Sequence, residues 1–176
     1  MWPWKNYYPL YQQEVARRTH AEALVQVWKN KYFYTVNKPS IKPEVVEYID
    51  TGTLVEELFN YLGSYRVLYP LDNYYAVTSL EDVLRRVQVA GVHKLVKVLD
   101  VHDCDDFAIG LVGEFSNDPF WWDKPFGFII AGSHVLNIFY AKHEGVSQLY
   151  LLEPMTGELV PKETINGEII TMVVIP

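Results

Sequence analysis

Apolar residues in the first half of the chain recur at the intervals of amphipathic helices, with charged residues between them. Where a Ser or Thr precedes such a run and an acidic residue follows three positions later, the pattern predicts a capped helix N-terminus. Thr53 and Ser79 have this pattern, and Gly63 has the place of a helix end. The predicted helices are residues 11–32, 43–49, 53–62 and 80–87, with a proline-rich break over 37–43.

The pattern changes after Asp103. Apolar residues recur at helical spacing from Cys104 to Phe115, and Asp103 is a favourable N-cap, so a helix with Cys104 in its first turn is predicted. Strands are predicted over 126–140, 148–153 and 168–175, the first two joined by a loop around 142–145. Helices followed by strands indicate an α+β fold, with N-terminal helices packed on a C-terminal antiparallel sheet.

Length and composition are those of one globular domain. The 176 residues include 49% hydrophobic and 21% charged side chains, which favours a single domain over 1–176. We expect residues 1–99 to be mainly helical and residues 100–176 to carry the cysteine helix and the sheet. A net charge of −7 without a basic stripe argues against nucleic acid as a partner.

No feature of the sequence indicates secretion or insertion into a membrane. One cysteine cannot form an internal disulfide, and the N-terminus lacks the charged start and apolar run of a signal peptide. No apolar stretch is long enough for a transmembrane helix. We therefore expect no membrane partner, and a cytoplasmic or virion-associated location.

The only cysteine lies in the acidic stretch DVHDCDDFAIGL. A thiolate nucleophile requires a lowered pKa, a base that takes the proton and a third group that orients the base. The start of a helix favours the thiolate, because its unpaired N–H groups carry partial positive charge and one of them can bind an oxyanion. Cys104 is therefore a candidate nucleophile; the alternative is a small core residue near an acidic helix start.

His134 is unexpected because it interrupts an apolar strand. If residues 142–145 form the hairpin loop, Ala141 pairs with Val146 and His134 lies opposite Glu153, with side chains about 5 Å apart. This arrangement would join a general base to an orienting carboxylate. A purely structural His–Glu pair is the alternative.

The motifs DCDDFA, GSHVLN and LYLLEP resemble those of the papain-like and transglutaminase-like cysteine hydrolases. The resemblance is nearest to the cysteine-protease domain at the C-terminus of a mushroom agglutinin and to related phage and bacterial proteins, and it covers about residues 100–157. It implies a papain-like fold and a cysteine peptidase that cleaves amide bonds of a peptide or protein substrate through an acyl-enzyme. Cys104 is then the nucleophile, His134 the general base and acid, and Glu153 the orienting residue.

The chain departs from that family at the oxyanion hole. Papain-like enzymes have a glutamine shortly before the cysteine, where this chain has Val98, so Tyr74 and Gln88 are the remaining candidates. Trp121 and Trp122 are candidates for the wall of a substrate cleft, or else for a cap on the core. The chain has no internal repeat, so the resemblance does not imply the sugar binding of the agglutinin.

The acidic residues around the thiol allow two interpretations. Asp103, Asp105 and Asp106 would raise the pKa of a neighbouring thiol, and they either cap the helix or bind a cation that neutralises them. The resemblance implies activation by Ca²⁺, which carboxylates suit, although the chemistry itself needs no cofactor. Transglutaminase-like acyl transfer and a non-catalytic virion or interaction module that retains the fold are the alternatives to a peptidase.

Overall fold

The computed structural model describes residues 39–95, 97 and 103–176. The helix expected over 11–32 lies outside the described residues, as does Val98. In the part of the chain that is described, the strands are β1 (Val45–Asp50), β2 (Val67–Pro70), β3 (Tyr74–Thr78), β4 (Phe126–Ala131), β5 (His134–His143), β6 (Val146–Glu153), β7 (Glu158–Val160) and β8 (Ile170–Ile175). The helices there are α1 (Thr51–Leu62), α2 (Leu80–Ala90) and α3 (Cys104–Ser116).

Six of the described strands form one mixed sheet in the order β2-β8-β4-β5-β6-β7. Neighbouring strands from β8 to β7 are antiparallel, whereas β2 and β8 are parallel. β1 and β3 form a separate antiparallel ribbon. The predicted α+β class is confirmed, but the sheet is mixed rather than antiparallel, and strands precede the helices as well as follow them.

The side chains of β5 alternate between two hydrophobic cores, because successive residues of a strand point to opposite faces of the sheet. Leu136 and Ile138 pack with residues of α1 and of the β1–β3 ribbon. Phe139 and Ala141 pack with residues of α2 and α3. The sheet is therefore the middle of three layers, and α3 belongs to one side of it only.

Residues 43–49 were expected to be helical, and this prediction is wrong. Val45 and Ile49 have helical spacing, but both are β-branched, and the segment pairs with β3 instead. Helix α1 begins directly afterwards. Its N-cap is Asp50 rather than Thr53, since Oδ1 of Asp50 accepts a hydrogen bond from the main-chain N–H of Thr53 at 3.1 Å.

The other predicted elements lie close to their expected positions. Oγ of Ser79 accepts from the N–H of Asp82 at 3.1 Å and caps α2, and α3 begins at Cys104. The strand expected over 126–140 is divided into β4 and β5 by a two-residue turn, in which Gly132 has a φ of 58°. His134 is therefore the first residue of a strand. None of the described helices is long and apolar enough to cross a membrane.

Candidate functional site

His134 and Glu153 are in contact, although the predicted register is wrong by two residues. His143 lies opposite Val146, the position expected for Ala141. A shift of two residues keeps each side chain on its face of the sheet, so His134 and Glu153 become diagonal neighbours, which long side chains can still bridge. Nε2 of His134 lies 2.7 Å from Oε2 of Glu153.

The carboxylate of Glu153 is held at both oxygens, because Oε1 accepts the N–H of Met155 at 3.1 Å. The side chain of His134 is 36% exposed and borders a pocket of about 70 Å³ that Ser133, Ile165 and other residues line. A water molecule occupies about 30 Å³ in the liquid. The pocket beside the pair therefore has room for water, but not for a sugar ring or a peptide side chain.

Cys104 begins helix α3, whose buried residues belong to the core on one side of the sheet. Helix α3 packs through residues such as Phe107 against the face of β5 that carries Phe139. His134 is two residues from Leu136 in a regular strand and shares its face, which contributes to the opposite core. Among the described residues, no hydrogen bond joins the Cys104 thiol to His134 or its partner. The structure thus pairs two members of the expected triad, His134 and Glu153.

The start of α3 brings acidic groups around the thiol. The side-chain ligand atoms of Asp103, Cys104 and Asp105 all lie within 4.8 Å of one another. Hydrogen bonding with Asp103 is the main cause that lowers the pKa of Asp105 below its usual value. Asp106 is exposed and does not belong to this group. The structure therefore collects two of the three carboxylates that were expected to bind a cation.

The four residues expected to shape a substrate cleft are dispersed. Trp121 is 1% exposed, and its indole N–H donates to the main-chain oxygen of Ile41 at 2.7 Å, so it packs in the core and does not line a cleft. Trp122 and Tyr74 are exposed, and Gln88 is exposed on α2. Among the described residues, no hydrogen bond joins any of the four to the Cys104 thiol.

A cluster that the sequence analysis missed surrounds Arg86 on α2. Its side chain is 4% exposed, and Nη2 donates to the main-chain oxygen of Glu114. Nε lies 3.6 Å from Oδ2 of Asp118, which is close enough for charge attraction but outside hydrogen-bonding geometry. The guanidinium also lies over the ring of Phe115, 5.5 Å from its centroid. Nε and Nη1 have no hydrogen-bond partner among the described residues.

Burial and the neighbouring charges shift the pKa of this guanidinium in opposite directions. Burial is the larger cause and lowers the pKa of Arg86, while the carboxylates of Asp118 and Glu114 raise it. An arginine remains protonated at neutral pH even so, since its usual pKa exceeds 12. The cluster therefore contains a permanent buried cation with unused donors, and a buried N–H without a partner costs about 1–3 kcal/mol.

Arg86 lines an open pocket of about 230 Å³, together with Pro39, Ser40, Glu114, Asn117, Asp118 and Pro119. Oγ of Ser40 contacts both carboxylate oxygens of Asp118 at 3.0 Å, and the N–H of Phe120 donates to Oδ1 at 3.2 Å. The ring of Phe120, next to the pocket, is 45% exposed. The pocket combines N–H donors, carboxylate acceptors and a neighbouring aromatic surface.

The sequence contains a signal that would have located this cluster. Arg86 falls in the apolar stripe of α2, at helical spacing from Val83 and Ala90. A charge at a core position requires partners, because an uncompensated buried charge is strongly unfavourable. Asp118 gives a weaker signal, because the stretch SNDPF has the composition of an ordinary turn.

Comparison with known proteins finds similar folds but no similar sequences. No protein-family model matches the chain, and no curated protein matches it. A solved structure described as "PSL1a-E64 complex" has a TM-score of 0.58 and 17% identity, over 72% of this chain and 50% of the matched chain. The Polyporus squamosus lectin, bound to the human-type influenza-binding epitope Neu5Acα2-6Galβ1-4GlcNAc, has a TM-score of 0.59 and 16% identity, over 72% and 49%.

At this identity the likeness shows a shared fold, and the present chain spans about half the length of the solved chains. The finding overturns the expected membership of the papain-like and transglutaminase-like cysteine hydrolases, because the neighbour that is named by class is a lectin. The likeness therefore shows an α+β fold that this chain shares with about half of each matched chain.

The predictions that depended on membership of the hydrolase family are therefore also wrong. They are the cysteine peptidase, the acyl-enzyme at Cys104, the transglutaminase-like alternative, the peptide or protein substrate and the phage context. The ligand in the matched lectin is an oligosaccharide.

Proposed function

We propose that this chain is a carbohydrate-binding protein and that the Arg86 pocket receives a sugar ring. The observation that carries the proposal is a buried guanidinium with two unbonded nitrogens, set beside carboxylates in an open pocket. Ligand pockets for drug-sized molecules have volumes of about 300–1,000 Å³. A pocket of about 230 Å³ suits a single ring with its hydroxyl groups.

The chemistry of the pocket corresponds to that of a sugar. Neighbouring hydroxyl groups of a sugar both donate and accept hydrogen bonds, and the pocket offers guanidinium donors beside carboxylate acceptors. The glycan bound to the matched lectin also supports this class of ligand.

A glycan array followed by calorimetry tests the proposal. Asn117 is an exposed residue of the pocket, and Asn117→Lys would fill the opening with a long side chain. Asn166→Lys makes the same change at an exposed asparagine outside the pocket. We expect the wild type and Asn166→Lys to bind the same glycans and Asn117→Lys to lose them. Binding that survives Asn117→Lys would place the ligand elsewhere, and an array without any bound glycan would refute the function.

We also propose that Asp103 and Asp105 bind Ca²⁺ weakly. The support is the closeness of their side-chain atoms at the start of α3. Ca²⁺ takes six to eight oxygen ligands, so water must complete the shell and the affinity is low. Calorimetric titration with Ca²⁺ should show heat in the wild type that Asp105→Asn removes. Asp106→Asn is the matched control, and equal loss in both variants would contradict this assignment.

The organisation as a single domain over 1–176 and a cytoplasmic or virion-associated location remain predictions.

A further inference from the structure

The charge of Arg86 is balanced within the pocket. Nε of Arg86 lies 3.6 Å from Oδ2 of Asp118, and the two side chains are only 4% and 8% exposed. Ser40 and the N–H of Phe120 hold the carboxylate in this position. Water is largely excluded from the pair, so its opposite charges interact strongly and offset each other for any group that approaches them.

Nε and Nη1 of Arg86 are themselves buried, so a ligand meets the carboxylates of the pocket without an excess of positive charge. A neutral hydroxyl can donate to a carboxylate oxygen of the pocket. A ligand carboxylate can only accept, and it must lose the hydration of a full charge while it approaches Asp118. The chain's net charge of −7 also disfavours the approach of an anion.

We propose that the Arg86 pocket takes a neutral sugar ring and discriminates against a ring that carries a carboxylate. The inference rests on the proposed carbohydrate binding and specifies its ligand class. The lectin of similar fold is bound to a sialylated trisaccharide. The two proteins then share a fold but differ in the charge of the ligand.

The test uses pairs of oligosaccharides that differ by one acidic sugar. Galβ1-4GlcNAc and Neu5Acα2-6Galβ1-4GlcNAc form the first pair, and other neutral glycans with their sialylated or uronic forms complete the panel. Dissociation constants are measured by calorimetry for the wild-type chain and for Asn117→Lys. We expect the neutral member to bind at least about tenfold more tightly, a difference of about 1.4 kcal/mol, and Asn117→Lys to abolish its binding.

The outcomes separate this inference from the proposed function. Equal or tighter binding of the acidic members, lost in Asn117→Lys, would overturn the inference and leave carbohydrate binding intact. Absence of binding across the whole panel would overturn both.

Asp118→Asn gives an independent test of the cause. Removal of this carboxylate leaves Glu114, whose Oε2 lies 3.9 Å from Nη2, as the remaining carboxylate beside Arg86. The preference for the neutral member should therefore decrease by about tenfold. Thermal unfolding establishes whether the variant is folded before binding is measured. An unchanged preference in the folded variant would refute the charge balance as the cause. If the variant does not fold, the comparison of ligands on the wild-type chain decides the inference alone.

Discussion

Gly127 marks a very close approach of strands β4 and β8. A Cβ atom at this position would lie 1.8 Å from the main-chain oxygen of Val174 and 2.9 Å from Cα of Ile175. Both are backbone atoms, so no change of rotamer relieves the overlap. Gly127→Ala therefore requires the two strands to separate.

The size of the displacement follows from the geometry. Real Cβ atoms essentially never approach another heavy atom within 3.0 Å, so the strands must move apart by at least 1.2 Å (3.0 − 1.8). Overpacking in a core costs about 1–3 kcal/mol. Two weakened hydrogen bonds between the strands add about 1 kcal/mol each. We expect Gly127→Ala to lower the free energy of unfolding by about 3–5 kcal/mol.

Gly113→Ala is the matched control, because the same methyl group is added without a steric conflict. No atom lies within 4 Å of the new Cβ in α3, and alanine restricts the unfolded chain, so this variant should be more stable by about 0.4–1 kcal/mol. Urea denaturation of both variants gives the free energies of unfolding. A loss below about 1 kcal/mol in Gly127→Ala would refute the reasoning, since β4 and β8 could not then be packed as described.

Three further changes test particular contacts. Ser79→Ala removes the hydroxyl that accepts from the N–H of Asp82, and it should lower the free energy of unfolding by about 1 kcal/mol. Ser79→Asp retains an acceptor at this position. Equal urea midpoints for the two variants would contradict the capping role of Ser79. Trp121→Phe removes the indole N–H bonded to Ile41 at 2.7 Å, and calorimetric melting should show a loss of about 1–3 kcal/mol. Burial lowers the pKa of His93 below 6.5. The unfolded state therefore binds more protons, and the free energy of unfolding decreases as the pH falls below 6.5. His93→Gln should flatten this pH dependence in thermal melts, and an unchanged slope would contradict the role of His93.

The elements that were predicted correctly are those with local signals. Ser79 and Asp82 define the start of α2 within four residues of sequence, and Cys104 follows a residue suited to an N-cap. The segment 43–49 has no such signal, because the spacing of Val45 and Ile49 is compatible with a helix. Its conformation depends on pairing with β3, about thirty residues further along the chain, which local pattern does not reveal.

The sequence predicts the part of the candidate site that depends only on which residues of a strand share a face of the sheet. His134 and Glu153 meet despite the wrong register, because a shift of two residues preserves the face of the sheet. The position of Cys104 depends instead on which face α3 covers, a property of the whole fold. The pocket at Arg86 depends on contacts between α2 and the residues that follow α3. No local sequence motif predicts these contacts.

The position of β8 between β2 and β4 affects how the chain reaches its folded state. Within the described residues, β8 is the only sheet neighbour of β2, and their paired residues Val67 and Met172 are 105 positions apart (172 − 67). The entropy of closing so long a loop opposes this contact, and such topologies fold slowly. During synthesis β2 cannot pair with β8 until nearly the whole described chain has been made. Until then the apolar side of α1 lacks part of the core that covers it, and this intermediate is the state in which aggregation or capture by a chaperone is expected.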